Sequence, residues 1–133
     1  MSRSLAVFLR VADLGMLAYW GLASLLCAGL IAVPAGVMYE GYGTRSVDAW
    51  NWSFAPLDLA FALVGLAAVR LAARGDPRWR PLALVSLVLT MCAGGMALSY
   101  WVLIGDFQLA WWLPNAALVV VPLAWLPQFL REI

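Results

Sequence analysis

From Leu14 to Tyr39 the chain carries no Asp, Glu, Lys, Arg or His. A helix needs about 20 mostly apolar residues to cross the hydrocarbon of a bilayer, so this run is long enough to span. Three more apolar runs follow: one beginning at Leu59, one from Pro81 to Gly105 and one from Phe107 to Leu130. The whole chain is 65% hydrophobic and 11% charged, whereas soluble domains carry roughly 25% charged residues. With 133 residues there is room for one bundle and no separate soluble domain. The expected architecture is all-α: a polytopic membrane protein forming a single domain over 1–133, a four-transmembrane-helix antiparallel bundle. Its helices are expected at about 5–33, 54–73, 81–104 and 111–130. The first run is too long for the apolar core of a signal peptide, and Arg10 and Asp13 interrupt its start.

Punctuation residues place the ends. Pro34 is expected to close the first span, since a proline cannot continue a helix. Residues 34–50, rich in Gly and Tyr, read as an interfacial loop with at most a short turn of helix. Pro56 then marks the entrance of the second span, where a missing N–H does no harm. In Arg74-Gly-Asp-Pro-Arg-Trp-Arg80, Gly75 stops one helix and Pro81 opens the next. Within the third span Ser86, Thr90 and Gly94 recur every fourth residue, with Gly95 and Ser99 on a neighbouring line. Stripes of small residues let membrane helices approach closely. Pro114, Pro122 and Pro127 should kink the fourth span, which neighbouring helices can tolerate.

All basic side chains are arginines. Arg3, Arg10, Arg70, Arg74, Arg78, Arg80 and Arg131 fall on one side of the four-span reading, and only Arg45 on the other. By the positive-inside rule the N- and C-termini are cytoplasmic. Trp50, Trp52, Trp101, Trp111 and Trp112 then lie near the outer interface as an aromatic belt, Trp79 marks the inner one, and Trp20 and Trp125 pack inside. The expected location is the bacterial cytoplasmic (inner) membrane, crossed several times. A net charge of +1 gives no footing for nucleic acid. Cys27 and Cys92 sit in apolar runs without His, so no metal site and no cofactor are expected.

Folding the spans antiparallel brings polar groups to one depth in the outer half. Asp58 lies one turn into the second span and Asn115 one turn into the fourth; Ser99 and Tyr100 end the third. Unsatisfied polar groups cost several kcal/mol in hydrocarbon, roughly 4–8 on alkane scales, so these groups should find one another. Three roles are open to Asp58: a structural acid bonded to Asn115, Tyr100 or the helix start; a ligand for an amine or hydroxyl; or a general acid/base. Asp13 pairs most simply with Arg10, three residues earlier on the same helix face, and otherwise offers a proton or ligand site. Glu40 and Asp48 read as solvated loop acids able to cap the pocket. Trp50, Trp52, Trp111 and Trp112 are either interfacial anchors or pocket walls whose indole faces hold a cation. The candidate ligand-binding set is therefore Trp50, Asn51, Trp52, Asp58, Tyr100, Trp111, Trp112, Asn115, Asp13 and Glu40, with Asp58 the candidate catalytic group.

The stretch Ala49-Trp-Asn-Trp-Ser-Phe-Ala-Pro-Leu-Asp-Leu59 resembles the hallmark of the YvaD family of small bacterial membrane proteins. So do Arg80-Pro-Leu-Ala-Leu-Val-Ser-Leu-Val-Leu-Thr-Met-Cys-Ala-Gly, followed by Gly95, and Gly105-Asp-Phe-Gln-Leu-Ala-Trp-Trp-Leu-Pro-Asn115. That likeness covers nearly the whole chain and implies four transmembrane helices without implying an activity. A weaker resemblance is to the EXPERA proteins, which include the sigma-two receptor and the emopamil-binding sterol isomerase. It rests on Trp50, Ser53, Phe54, Asp58, Asn115 and Pro122, and implies a lipid-accessible pocket in which Asp58 meets the polar group of an apolar ligand. Those isomerases also use His, which this chain lacks.

Three functions fit these observations. One is binding of a hydrophobic amphiphile (an isoprenoid, a sterol-like lipid or an amine) in an outer-half pocket around Asp58, with acid/base chemistry of an isomerase or cyclase type as a minor form. Another is an accessory or scaffold subunit of a homo-oligomer or larger membrane complex. The last is a small proton-coupled transporter.

Overall fold

The computed structural model describes residues 1–34 and 36–131. Among the described residues six α-helices follow one another: α1 Arg3–Cys27, α2 Arg45–Ser53, α3 Ala55–Ala73, α4 Trp79–Ile104, α5 Leu109–Val120 and, after a 3-10 turn over Val121–Ala124, α6 Leu126–Leu130. They group into four helices long and apolar enough to cross a membrane: Arg3–Cys27, Arg45–Ala73, Trp79–Ile104 and Leu109–Leu130. The outside of the bundle is apolar. Leu103 is 85% exposed, Val11 70% and Leu109 69%, a surface consistent with a membrane bundle.

Two boundaries depart from the sequence reading. The first helix ends at Cys27, well before the expected residue 33. Gly29 takes the left-handed conformation (φ 67°), and the Leu30 and Gly29 N–H groups turn back to the Leu25 and Leu26 carbonyls, each at 3.0 Å. This closing motif satisfies carbonyls that would otherwise be orphaned, and Pro34 is left in the loop. The second departure concerns the helix entrance. Pro56 does stand in the first turn of α3, but the chain is already helical from Arg45. The Trp50–Leu59 stretch therefore straddles a joint at Phe54. There Phe54 N–H reaches Asn51 O at 3.1 Å and the Ser53 hydroxyl donates to Trp50 O at 2.6 Å.

The proline-rich fourth span is broken as its sequence suggests. Pro122 stands at the start of the 3-10 turn that separates α5 from α6, because each proline withholds an N–H from the helical ladder.

Packing runs in the order α1 on α3, α3 on α4 and α4 on α5. The stripe of small residues on α4 serves these contacts. A Cβ at Gly94 would lie 2.6 Å from Asn115 O and 2.9 Å from Leu118 Cβ, so only glycine admits α5 this closely. Ser86 is fully buried against α3, and its hydroxyl donates to Phe61 O at 3.0 Å. Near both termini Leu5, Leu9, Ala68, Val69, Ala83, Leu87 and Phe129 form a closed core with Phe8, Trp79 and Trp125 around it. At the other end Trp20, Phe54 and Ala97 form a second core with Tyr19 and Trp50 packed on it. Between α1 and α5 there is no extended packing among the described residues.

Candidate functional site: an aromatic cavity beside Asp58

Where α1 and α5 part, a cavity of about 380 Å³ lies within the bundle. Its floor comes from the α2–α3 joint and from α4: Asn51, Phe54 and Asp58 on one side, Ala97 and Trp101 on the other. Trp50, Trp111, Tyr19 and Tyr39 supply further walls. Its rim includes Val11 and Gly15 of α1 and Ala110 and Pro114 of α5, all exposed on the flank of the bundle. The cavity therefore opens sideways, between two apolar helices. Pro114 has no N–H to return to the Ala110 carbonyl one turn back.

Asp58 is set by the joint. Its N–H bonds to Phe54 O at 2.9 Å, which places its side chain in the first turn of α3, near the positive end of the helix dipole. The residue is 5% exposed. Oδ2 accepts a hydrogen bond from Trp20 Nε1 at 3.0 Å, while buried Oδ1 has no partner. Among the described residues it is the one carboxyl lining the cavity. The sequence reading offered Asn115, Tyr100 or the helix start as its partner, and the donor is instead an indole on α1. Asn115 lines the cavity but gives its amide hydrogen to Trp111 O, at 2.8 Å within its own helix. Asn51 Oδ1 accepts from the Tyr19 hydroxyl at 2.9 Å, tying α1 to α2.

Of the ten candidate residues, Trp50, Asn51, Asp58, Trp111 and Asn115 line this cavity. The others lie elsewhere. Tyr100 backs the wall, stacked on Trp50 with ring centres 3.7 Å apart and planes at 19°. Trp52 packs on Trp20 at 5.1 Å and borders a smaller recess. Trp112 stacks on Phe107 at 5.3 Å and donates to Asp106 O at 2.8 Å. Glu40 is exposed on the loop and lines a separate recess of about 460 Å³. Asp13 is fully buried but is not among the cavity's walls. The expected Arg10–Asp13 ion pair does not form: Arg10 is exposed and neither Asp13 oxygen has a partner. Turning α1 to bury Leu5, Leu9 and Trp20 takes Asp13 inward with them, while Arg10 falls on the outer side.

Tyr19, Tyr39 and Trp101 were missing from the candidate set. Tyr39, 4% exposed, packs its ring against Trp101 at 5.9 Å and Trp111 at 5.4 Å. Burial pushes its phenol above the ordinary tyrosine range, so it stands at the mouth as a neutral hydroxyl. Only the aromatic character of its Gly-rich surroundings hinted at this place. Trp101 was legible as an interfacial tryptophan, and its burial comes from Trp50 and Tyr39 on either side. Among the described residues, no three His, Cys, Asp or Glu side chains group as metal ligands.

Together these groups set a buried carboxyl, one oxygen of which has no hydrogen-bond partner, beside indole and phenol faces. Such a site can accept a hydrogen bond from a ligand's hydroxyl or ammonium group, and its π-faces attract a cation.

Comparisons with known proteins agree on the family. The chain is similar to the uncharacterized protein YvaD of Bacillus subtilis (strain 168), 38% identical over 130 residues that make up 98% of this chain and 94% of that protein. No solved structure matches it. A family model described as a family of unknown function, DUF5360, matches residues 5–133, and the chain belongs to this family.

Proposed function

We propose that this chain is a multi-pass protein of the bacterial cytoplasmic membrane, with both termini cytoplasmic, that binds a hydrophobic amphiphile in the cavity beside Asp58. The ligand's tail lies along the apolar rim between α1 and α5, and its polar head meets Asp58 Oδ1. An isoprenoid, a sterol-like lipid and a long-chain amine all have this form. The observation that carries the reading is a buried, unpartnered carboxylate oxygen at an aromatic cavity of about 380 Å³, within the usual ligand-pocket range of about 300–1,000 Å³. The sideways opening suits a ligand that arrives from lipid. The arginine bias supports the orientation, since Arg3, Arg10, Arg70, Arg74, Arg78, Arg80 and Arg131 gather toward the closed end of the bundle.

Any proton transfer to or from the ligand, as in an isomerase or cyclase reaction, falls to Asp58, which could move the proton directly. The subunit reading loses part of one motive, because Ser86 and Gly94 on α4 meet α3 and α5 of the same chain, and keeps the neighbouring line, where Gly95 has open space and Ser99 is exposed. The transporter reading keeps its two buried acids but separates them, one at the cavity and one away from it.

Native mass spectrometry of wild type and Asp58→Asn, purified in mild detergent, tests the proposal. Wild type should carry a co-purifying small amphiphile that the variant has lost, with equal helicity in both. An equal load of the same molecule on both proteins overturns the role of Asp58. Bare protein in both, attached to a second polypeptide, supports the subunit reading instead.

A further inference from the structure

The second buried acid has no role in the cavity. Asp13 is 0% exposed, and neither carboxyl oxygen has a hydrogen-bond partner. It lies where α1 packs on α3, at a point that Ser86 of α4 also reaches. A Cβ added to Gly65 would overlap Asp13 Oδ2 and stand 2.7 Å from Ser86 Oγ. The carboxyl and the Ser86 hydroxyl therefore both crowd the bare Cα of Gly65, with no hydrogen bond from that hydroxyl to the carboxyl.

The hydrogens decide the state of this acid. Ser86 Oγ donates to Phe61 O, and Thr90 Oγ1, nearby on the same helix, donates to Ser86 O. Both receiving atoms are carbonyl oxygens, which can only accept. Each hydroxyl has thus committed its one hydrogen and can offer Asp13 only lone pairs. The residues around the contact supply no cation. Beyond Asp13, α1 carries Arg3 and Arg10, both exposed. Along α3 the charged residues are Asp58, bonded to Trp20, and Arg70, which is exposed. On α4 the only charged residue is Arg80, at its start, and α5 has none. A bare carboxylate among acceptors would bury a charge with neither donor nor counter-ion.

We infer that Asp13 is a proton-binding site, separate from the amphiphile cavity. Its carboxyl is held as the neutral acid, with its own O–H aimed at Ser86 Oγ. A proton is the cation that fits, because the contact has no room for even a methyl group, let alone a hydrated metal ion. Docking α1 and holding the proton are then one event: releasing the proton requires α1 to move off Gly65 and admit water.

Infrared spectroscopy of the full chain in phosphatidylcholine vesicles at neutral pH tests this. Wild type minus Asp13→Asn should show one lost carboxylic-acid carbonyl band. Asn can donate where the acid did, so the fold should persist. Ser86→Ala keeps the acid and removes its acceptor, and should move the same band to higher frequency. That variant tests the inference even if Asp13→Asn does not fold. Loss of a carboxylate stretch in place of the acid band, or an acid band unmoved by Ser86→Ala, overturns the proposal. Sodium-dependent change in the Asp13 band also overturns it, in favour of a metal-ion site.

Discussion

Asp58 and Asp13 are both buried in helices long and apolar enough to cross a membrane, yet their surroundings have opposite designs. Asp58 has a donor, Trp20 Nε1, on one oxygen and a cavity wall on the other side. Asp13 has no donor and a neighbour so close that only glycine fits. The first site keeps space and an unfilled acceptor, as a place that receives something from outside must. The second leaves neither, which suits a group that serves the contact between helices. Burial alone therefore does not tell a ligand site from a docking site; free volume and the direction of nearby hydrogens do.

This contrast is open to attack by substitution. The largest effect is expected from Gly65→Val, whose side chain would collide with Asp13 and Ser86. Overpacking of this kind costs about 1–3 kcal/mol, seen as a lower thermal midpoint in detergent, and α1 should become sensitive to protease. Trp20→Phe should come next. It leaves Asp58 without its donor at a cost of about 1–3 kcal/mol and also weakens amphiphile retention, linking the two readouts at one acid. Asp58→Asn should shift the thermal midpoint little, by less than about 1.5 kcal/mol in stability, because Asn can still accept from Trp20. Ligand retention, measured by mass spectrometry, should nevertheless be lost. A variant that lost stability but kept ligand would reverse the roles assigned to the two acids.

The smallest effect lies outside the membrane. Arg78 holds Asp76 below the usual carboxylate range through side-chain and backbone hydrogen bonds in the α3–α4 turn. A lowered folded-state value means the support is present at neutral pH and fades as pH falls through that value. The protection of the Arg78 amide against exchange, relative to its intrinsic rate at each pH, should fall in acid because its N–H bonds to Asp76 Oδ1 at 3.0 Å, while the amides within α3 and α4 stay protected.

Much of this arrangement was legible beforehand. Uncharged runs place the spans, Gly75 does stop α3, and the shared depth of Trp50, Asp58, Trp111 and Asn115 follows from counting turns. The Asp58 partner was not legible, because a uniformly apolar first span does not reveal which face turns inward. The same ambiguity hid the outward turn of Arg10. The helix over Arg45–Ser53 was missed because it is short, polar on average and follows a Gly-rich loop, although its two-sided hydrophobic period was there to be read. Gly29 was passed over because Pro34 is the louder stop signal, although a left-handed glycine ends a helix as firmly.

The short turn between α3 and α4 also bears on how the chain is assembled. Two spans joined so tightly can enter the bilayer as a hairpin, and their contact carries the Gly65–Ser86 seat with it. The helix that fills the seat was translated earlier and is tethered by the long 28–44 connection. Until the hairpin follows, Asp13 has no seat, and α1 must wait in or beside the membrane with an acid on its flank. On this order of assembly the last step of folding is the one that covers that acid.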